Sequence, residues 1–505
     1  MLVACSLEEN PRDQIHEEEA YDTPKALFHN TVATLYNYIG GSEEGQGLQG
    51  SIRGIYDLQT FGSDEAMLPT RGIDWFDGGI WQDLYRHSWS AGHPLLNNSW
   101  LYLYKVITLC NRSIEQLEAH REMLDQQALA ADIAEVQALR AICYWYLLDL
   151  FGRVPILTSS HVSMNDVKQS ERKEVFDFVE SELLKACIFI PGGNSAHSGE
   201  VYGRVTLPVA YFVLAKLMLN AEVYTGTPRW EDCIAFCDRI EELGFMLEPN
   251  YAHNFSVHNE TSNENIWVIP MNRELYRNQQ QNIIRSLHYR HASIYGYGGE
   301  NGTCATPHVM KIFGYNTDNE DNRLDLNYWT DVVEDPLYGL ATDRTGAPLI
   351  YYPMEVDMDI SGSPYVETAG ARMKKYEIDK NAVEGGKLME NDIVLFRYAD
   401  VLLMRAEAKL RCGQDGQDDY NAVRKRAKMD TRPITLQNLL DERLLELCWE
   451  GWRRQDLIRF NQYESLFQGD IFDDKVDESD GHTCLFPIPA AAIALNRNLK
   501  QNKGY

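Results

Sequence analysis

The sequence predicts a mainly α protein, an α–α superhelix of tetratricopeptide-like helix pairs interrupted by a long irregular region. Three observations predict it. Apolar residues recur at helical spacing through the first half and again after residue 396. Gly- and Pro-containing turns separate these stretches at short intervals. Between them, residues 245–395 are rich in Gly, Asn, Asp, Pro and Tyr and mostly lose the helical period.

In chain order, residues 22–39 form the first amphipathic helix, with Leu27, Phe28, Val32, Leu35 and Ile39 on one side and Gly40-Gly41 ending it. Helices are expected at 98–119, 127–151, 170–189, 205–225 and 229–243, the second of these ending at Phe151-Gly152-Arg153-Val154-Pro155. Helix pairs of this length joined by short turns point to a solenoid, with degenerate repeats because no strict period of about 34 residues is visible. After the irregular middle, helices return at 397–412, 415–428, 435–448 and 450–460. The tail holds a Phe486-Pro487-Ile488-Pro489 loop, a short helix and Gln501-Asn502-Lys503-Gly504-Tyr505.

Composition narrows the function. The chain has 505 residues, 44% of them hydrophobic and 24% charged, which suits a packed core. With 47 basic and 75 acidic residues its net charge is −28, which repels phosphate backbones and anionic lipid surfaces and argues against nucleic-acid binding. No run of about 20 apolar residues predicts a membrane span. The ten cysteines include no CxxC pair and no metal-ligand spacing, and the nine other than Cys5 read as buried free thiols. Asp318-Asn319-Glu320-Asp321-Asn322 is oxygen-rich but lacks calcium-loop spacing and reads as a solvated loop. At the start, Leu2-Val3-Ala4-Cys5 fits a lipobox with Cys5 as the acylated residue and 1–5 as the remainder of a signal peptide, whose earlier part is expected to have been trimmed.

Several ordered motifs resemble the SusD/RagB family of outer-membrane nutrient-binding lipoproteins of Bacteroidota. They begin with Ser63-Asp64-Glu65 and Asp74-Trp75-Phe76-Asp77-Gly78-Gly79. Leu139-Arg140-Ala141 through Gly152-Arg153-Val154-Pro155 is similar to the family's LRAxxYxxL…GxVP element, and Gly370-Ala371-Arg372 with Lys374-Lys375-Tyr376 to its GxRxxKY element. The C-terminal third is the most specific. Arg397-Tyr398-Ala399-Asp400-Val401-Leu402 opens a stretch close to RYADVLLMxAEA, Glu442 to Phe460 resembles ERxxELxxEGxRxxDLxRW, and the end matches FPIP…QNxGY. Phe460 stands where the family commonly has Trp, and Lys503 where it commonly has Pro.

The resemblance implies a SusD-like fold built as one composite unit, with an N-terminal region at 20–225 and a C-terminal SusD/RagB region at 265–505. It implies a surface-exposed outer-membrane lipoprotein without catalytic activity or cofactor. Such a protein captures oligosaccharide for import through a partner TonB-dependent transporter of the SusC type and touches the membrane only through its lipid. Peptide cargo of the RagB kind and a helical-toroid glycoside hydrolase are the alternatives. No GxSxG, HExxH or Walker motif supports an enzyme.

A sugar site needs rings for C–H faces and planar polar groups for hydroxyls. Trp75, in a Gly- and Asp-rich loop, is the first candidate, against the reading that it plugs the loop onto the core. Tyr295 and Tyr297, in Tyr295-Gly296-Tyr297-Gly298-Gly299, put two rings on a flexible loop, and Cys304 and Asn301 follow on the same surface. Arg372 is a bidentate donor or pairs with an acid. Asp64 accepts from hydroxyls or is structural. Tyr398, at a helix start, and Trp329 complete the candidates, while Trp81 reads as core. The Arg and Glu residues of the C-terminal helices and Arg140 read as structural ion pairs that staple neighbouring helices.

Overall fold

The computed structural model describes residues 20–41, 43–275, 279–464 and 480–505, with Met164 described by its backbone alone. Cys5 lies outside the described residues. The N-terminal helix runs as Pro24–Phe28, a π-helical turn His29–Ala33, and Thr34–Gly40. Its predicted apolar stripe is buried at Leu27, Val32, Leu35 and Ile39.

Among the described residues nine further helices form the frame: α1 (Pro94–Ala119), α2 (Gln126–Phe151), α3 (Arg172–Ala186), α4 (Leu207–Leu219), α5 (Trp230–Glu242), α6 (Tyr398–Arg411), α7 (Gln417–Arg426), α8 (Leu436–Leu447) and α9 (Arg453–Arg459). Each helix from α1 to α9 packs on the next, as a solenoid requires. The boundaries have local causes. Asp125 caps α2 by accepting from the amides of Gln127 and Ala128, at 2.9 and 2.8 Å. Gly152, at φ 71°, ends it where a side chain would be strained.

The superhelix passes unbroken over the irregular region, because α5 packs directly on α6. A two-stranded antiparallel ribbon closes the neck of the insertion. Strand β1 (Asn265–Ile269) pairs with β2 (Ile393–Arg397), Ile269 opposite Ile393 and Asn265 opposite Arg397. Every residue of both strands is buried. Phe396 stacks on Phe212 of α4 with centroids 4.2 Å apart, and Trp267 lies 5.1 Å from it. The insertion proper is less irregular than the sequence suggests: short helices alternate with two-residue ribbons. One ribbon joins Ala66–Met67 to Cys304–Ala305, so the early loop and the insertion share a single sheet edge.

The C-terminal tail fastens the end of α2. Asn502 Nδ2 donates to the carbonyls of Phe151 (2.9 Å) and Phe486 (2.7 Å), and Trp89 Nε1 donates to the Tyr505 hydroxyl at 2.8 Å. No disulfide forms among the described cysteines, most of which are buried. Asp321, expected to be solvated, is instead buried and clasps Arg323 at 2.8 Å. Among the described residues no helix is long and apolar enough to cross a membrane.

Beside the neck, Asp392 accepts from the Tyr202 hydroxyl (2.5 Å) and the Met271 amide (2.8 Å). Burial raises its carboxyl to about 7. An unfolded Asp titrates near 3.9, so the neutral form stabilises the fold fully below about pH 4, and that stability is lost as pH rises through about 7. Asp392→Asn is therefore expected to flatten the decline of the urea midpoint between about pH 5 and 7.5. An unchanged slope would show that Asp392 does not titrate in this window.

Candidate functional site, a strained tryptophan loop

The loop after Thr70 is held in conformations that L side chains rarely adopt. Gly72, Trp75, Asp77, Gly78 and Gly79 all have positive φ, with Trp75 at 63° and Asp77 at 45°. A bulky residue in the left-handed region costs about 1–3 kcal/mol and persists only where its surroundings over-determine it. They do so here. Asp77 Oδ2 accepts from Arg53 at 2.7 Å and from Trp81 Nε1 at 2.8 Å. Trp75 Nε1 donates to the Glu300 carbonyl at 2.9 Å. The indole lies against Gly302, where an added Cβ would come within 2.8 Å of Trp75 Cε2.

With its one side-chain donor satisfied, the half-buried Trp75 side chain has only apolar ring surface left to offer a partner. Its neighbours in the loop, Ile73 and Phe76, are 96% and 52% exposed. Across the face, the Tyr289 hydroxyl donates to Asp74 Oδ2 at 2.8 Å. Burial, and then that bond to Asp74, push the phenol up to about 12. Lys387 pairs with Glu300 at 2.9 Å. The face thus joins exposed rings to carboxylates, a phenol and an ammonium, which is the chemistry of stacking on C–H surfaces with hydrogen bonds to hydroxyls. Gly302→Ala is expected to displace the Trp75 indole N–H resonance in 15N–1H spectra while shifting the melting midpoint by no more than about 2 °C. An unmoved indole signal would mean that Gly302 does not seat the ring.

Most of the other sequence candidates turn inward, away from the surface at which they were expected. Asp64 is fully buried, with both carboxylate oxygens 2.7 Å from Arg453 and one 3.2 Å from His308. Burial alone would raise its carboxyl, but the Arg453 charge outweighs burial and holds it well below the carboxylate range. Arg372 is fully buried and donates to protein oxygens: the Thr303 carbonyl, Asn301 Oδ1 and the Glu367 carbonyl. Cys304 is buried in its ribbon under Gly370. The Tyr398 hydroxyl donates to Glu241 at 3.1 Å inside the helical frame. Tyr295 is buried with its hydroxyl on Asp335 at 3.1 Å and its ring edge-on to Tyr338. Tyr297 is buried against Gly386. Asn301 and Trp329 are buried as well, and Trp81 is core as expected. Trp75 alone of the named ligand candidates remains at the surface. Phe76 was legible beside it, whereas Tyr289 is 215 positions from Asp74 and carries no local signal.

Comparison with known proteins places the chain. The SusD family model matches residues 255–505, and a second model, described as starch-binding associating with outer membrane, matches 67–219. The chain belongs to the SusD family. It is 28% identical over 516 aligned positions to the starch-binding protein SusD of Bacteroides thetaiotaomicron, covering 92% of this chain and 89% of that one. In structure it is similar to a SusD-like protein from Bacteroides fragilis (TM-score 0.76, 20% identity, 98% of this chain and 100% of that one). It is also similar to surface glycan-binding protein A from Bacteroides thetaiotaomicron, solved in complex with laminarihexaose (TM-score 0.74, 19% identity, 95% and 99%). The helical frame and its insertion are therefore the SusD-like fold, as the motifs implied. The SusD-family motifs of the C-terminal third are largely frame: Arg397, Asp400, Arg405, Glu446 and Arg453 of this chain all sit in buried ion pairs.

Proposed function

We propose that this SusD-family chain captures oligosaccharide on the Trp75 face without chemical turnover. It is held at the outer surface of the outer membrane through acylated Cys5 and passes its cargo to a TonB-dependent transporter of the SusC type. The observation that carries the reading is Trp75 itself, a ring kept partly exposed in a left-handed backbone conformation whose polar edge is already satisfied. The starch-binding relative and the laminarihexaose-bound structural neighbour support glycan as the cargo class. Isothermal titration against starch-type and laminarin-type glucans, other polysaccharides and peptides tests it. Heat with one glycan class, and intact oligosaccharide after prolonged incubation, is the expected result. Heat with peptides alone, or release of reducing sugar, would replace the reading.

A further inference from the structure

Twelve arginines are buried among the described residues. Ten of them meet a carboxylate at ion-pairing distance: Arg285 meets Asp57, Arg443 meets Asp400 and Asp456, Arg453 meets Asp64, and the other seven are paired in the same way. Arg71 and Arg372, 4% and 0% exposed, meet none among the described residues. Their donors go mainly to main-chain carbonyls. Arg71 reaches Gly302 O (3.4 Å), Val366 O (3.0 Å) and Ala369 O (2.9 Å), with Cys304 Sγ at 3.6 Å. Arg372 reaches Thr303 O (3.3 Å), Asn301 Oδ1 (2.9 Å) and Glu367 O (3.2 Å), its guanidinium 5.0 Å from the centre of the Tyr351 ring. Both forks therefore bridge the same two segments, 301–304 and 366–369.

The first of these segments seats Trp75, through Glu300 O just before it and through Gly302. The second belongs to a loop that is also tied to the base of the Trp75 loop, where the Thr70 amide donates to Met358 O and the Ile360 amide to Thr70 O. Two neighbouring buried cations without a counter-charge are unfavourable. Burial first, and then the charge of Arg372, lower the Arg71 guanidinium to about 9. Neutral carbonyls compensate such charges less well than the carboxylates that every other buried arginine has. An arrangement that weakens the fold at one place and converges on a strained exposed ring has the pattern of a functional device.

We propose that Arg71 and Arg372 are positioning residues for the Trp75 face. Together they clamp the carbonyls of 301–304 to those of 366–369, and so hold the indole and its flanking loop in the conformation that receives ligand, at a cost in fold stability. The proposal rests on the capture reading above for its purpose, but the clamp itself is testable without ligand.

The test compares Arg71→Met and Arg372→Met with Arg443→Met, which removes an ion-paired arginine of the frame. The three readouts are melting midpoint, amide hydrogen exchange, and affinity for the glycan that the titration panel identifies. The two clamp variants are expected to keep or raise the melting midpoint. Exchange should accelerate about tenfold or more at 300–304 and 366–370 while the frame helices stay protected. The glycan Kd should rise at least about tenfold. Arg372→Lys should not rescue affinity, since one ammonium cannot span both segments as a planar fork does. Arg443→Met should instead lower the midpoint and loosen the frame. Clamp variants that melt as early as the Arg443 variant would overturn the proposal, because the two residues would then be ordinary scaffold. Unchanged exchange at both segments would overturn it too. A wild-type chain that binds no glycan while the exchange responds as expected would refute the capture reading and still support the clamp.

Discussion

Arg397→Met is expected to destabilise the fold by about 3–5 kcal/mol, the usual consequence of removing one partner from a buried charge cluster. Arg397 is fully buried at the end of β2, where the insertion returns to the frame. Its Nε donates to Glu450 Oε2 at 2.8 Å, and its Nη1 to Glu264 Oε1 at 2.7 Å and Glu446 Oε1 at 2.5 Å. Its Nη2 donates to the Glu446 carbonyl at 2.7 Å and to Glu450 Oε1 at 2.8 Å. One guanidinium thus joins the residue just before β1, helix α8 and the turn before α9. Burial alone would raise the Glu446 carboxyl, but the charges of Arg426, Arg397 and Arg323 outweigh it and hold the group well below the carboxylate range. Without Arg397 three buried glutamates lose a counter-charge that methionine cannot replace. The sign of the pH effect follows. Stability from Glu446 is present above its unfolded pKa near 4.3 and is lost as pH falls, so the wild type should weaken steeply below about pH 4 and the variant less so. Urea unfolding followed by circular dichroism checks this. A loss under about 1 kcal/mol would show that Lys375, Arg426 and Arg323 already suffice for these carboxylates.

Trp75→Ala is expected to leave the melting midpoint within a few degrees of wild type and to weaken oligosaccharide binding by about 2 kcal/mol, roughly thirtyfold in Kd. The two effects separate for a physical reason. The ring is only half-buried and packs on the edge of the core from a loop outside the helical frame, so less core packing goes with it than with a fully buried ring. A sugar that stacks on it loses most of its apolar contact. Tyr289→Phe, which removes the hydrogen bond to Asp74 and keeps the ring, should cost less than Trp75→Ala. Equal affinity in wild type and Trp75→Ala would place the ligand elsewhere.

The frame was legible in the sequence and the site mostly was not. Helices such as 94–119 and 398–411 announce themselves because one apolar stripe per helix must find a neighbour, and that demand repeats every three or four residues. The charged residues among them were correctly read as structural, but their partners were not. Spacing suggests contacts at i+3 and i+4, which hold for Arg411 with Glu407 and Arg459 with Asp456. Arg443 instead reaches Asp400 on α6, and Arg397 reaches Glu264 across the neck ribbon. The β1–β2 neck was missed although Asn265-Ile266-Trp267-Val268-Ile269 is a short apolar run of strand type, because such a run alone cannot name its partner. In the insertion, polar and aromatic loop residues look alike whether they face water or each other. Asp64 and Cys304 fold inward where the early loop meets α9 and the insertion, segments more than 200 residues apart, whereas Arg372, Tyr295 and Tyr297 are buried by contacts within the insertion itself. Trp75 stayed outside because its loop carries Gly72, Gly78 and Gly79 and can turn back on itself.

The central claim is that oligosaccharide docks on the Trp75 face. A crystal structure of the protein with the glycan identified by titration tests it most directly. The account predicts a sugar ring stacked on the exposed part of the Trp75 indole, with hydroxyls within hydrogen-bond reach of Asp74, Tyr289 or Glu300. Sugar bound instead in the cleft of about 700 Å3 between the N-terminal helix and Gly203, Arg204 and Pro270, with Trp75 unoccupied, would contradict it.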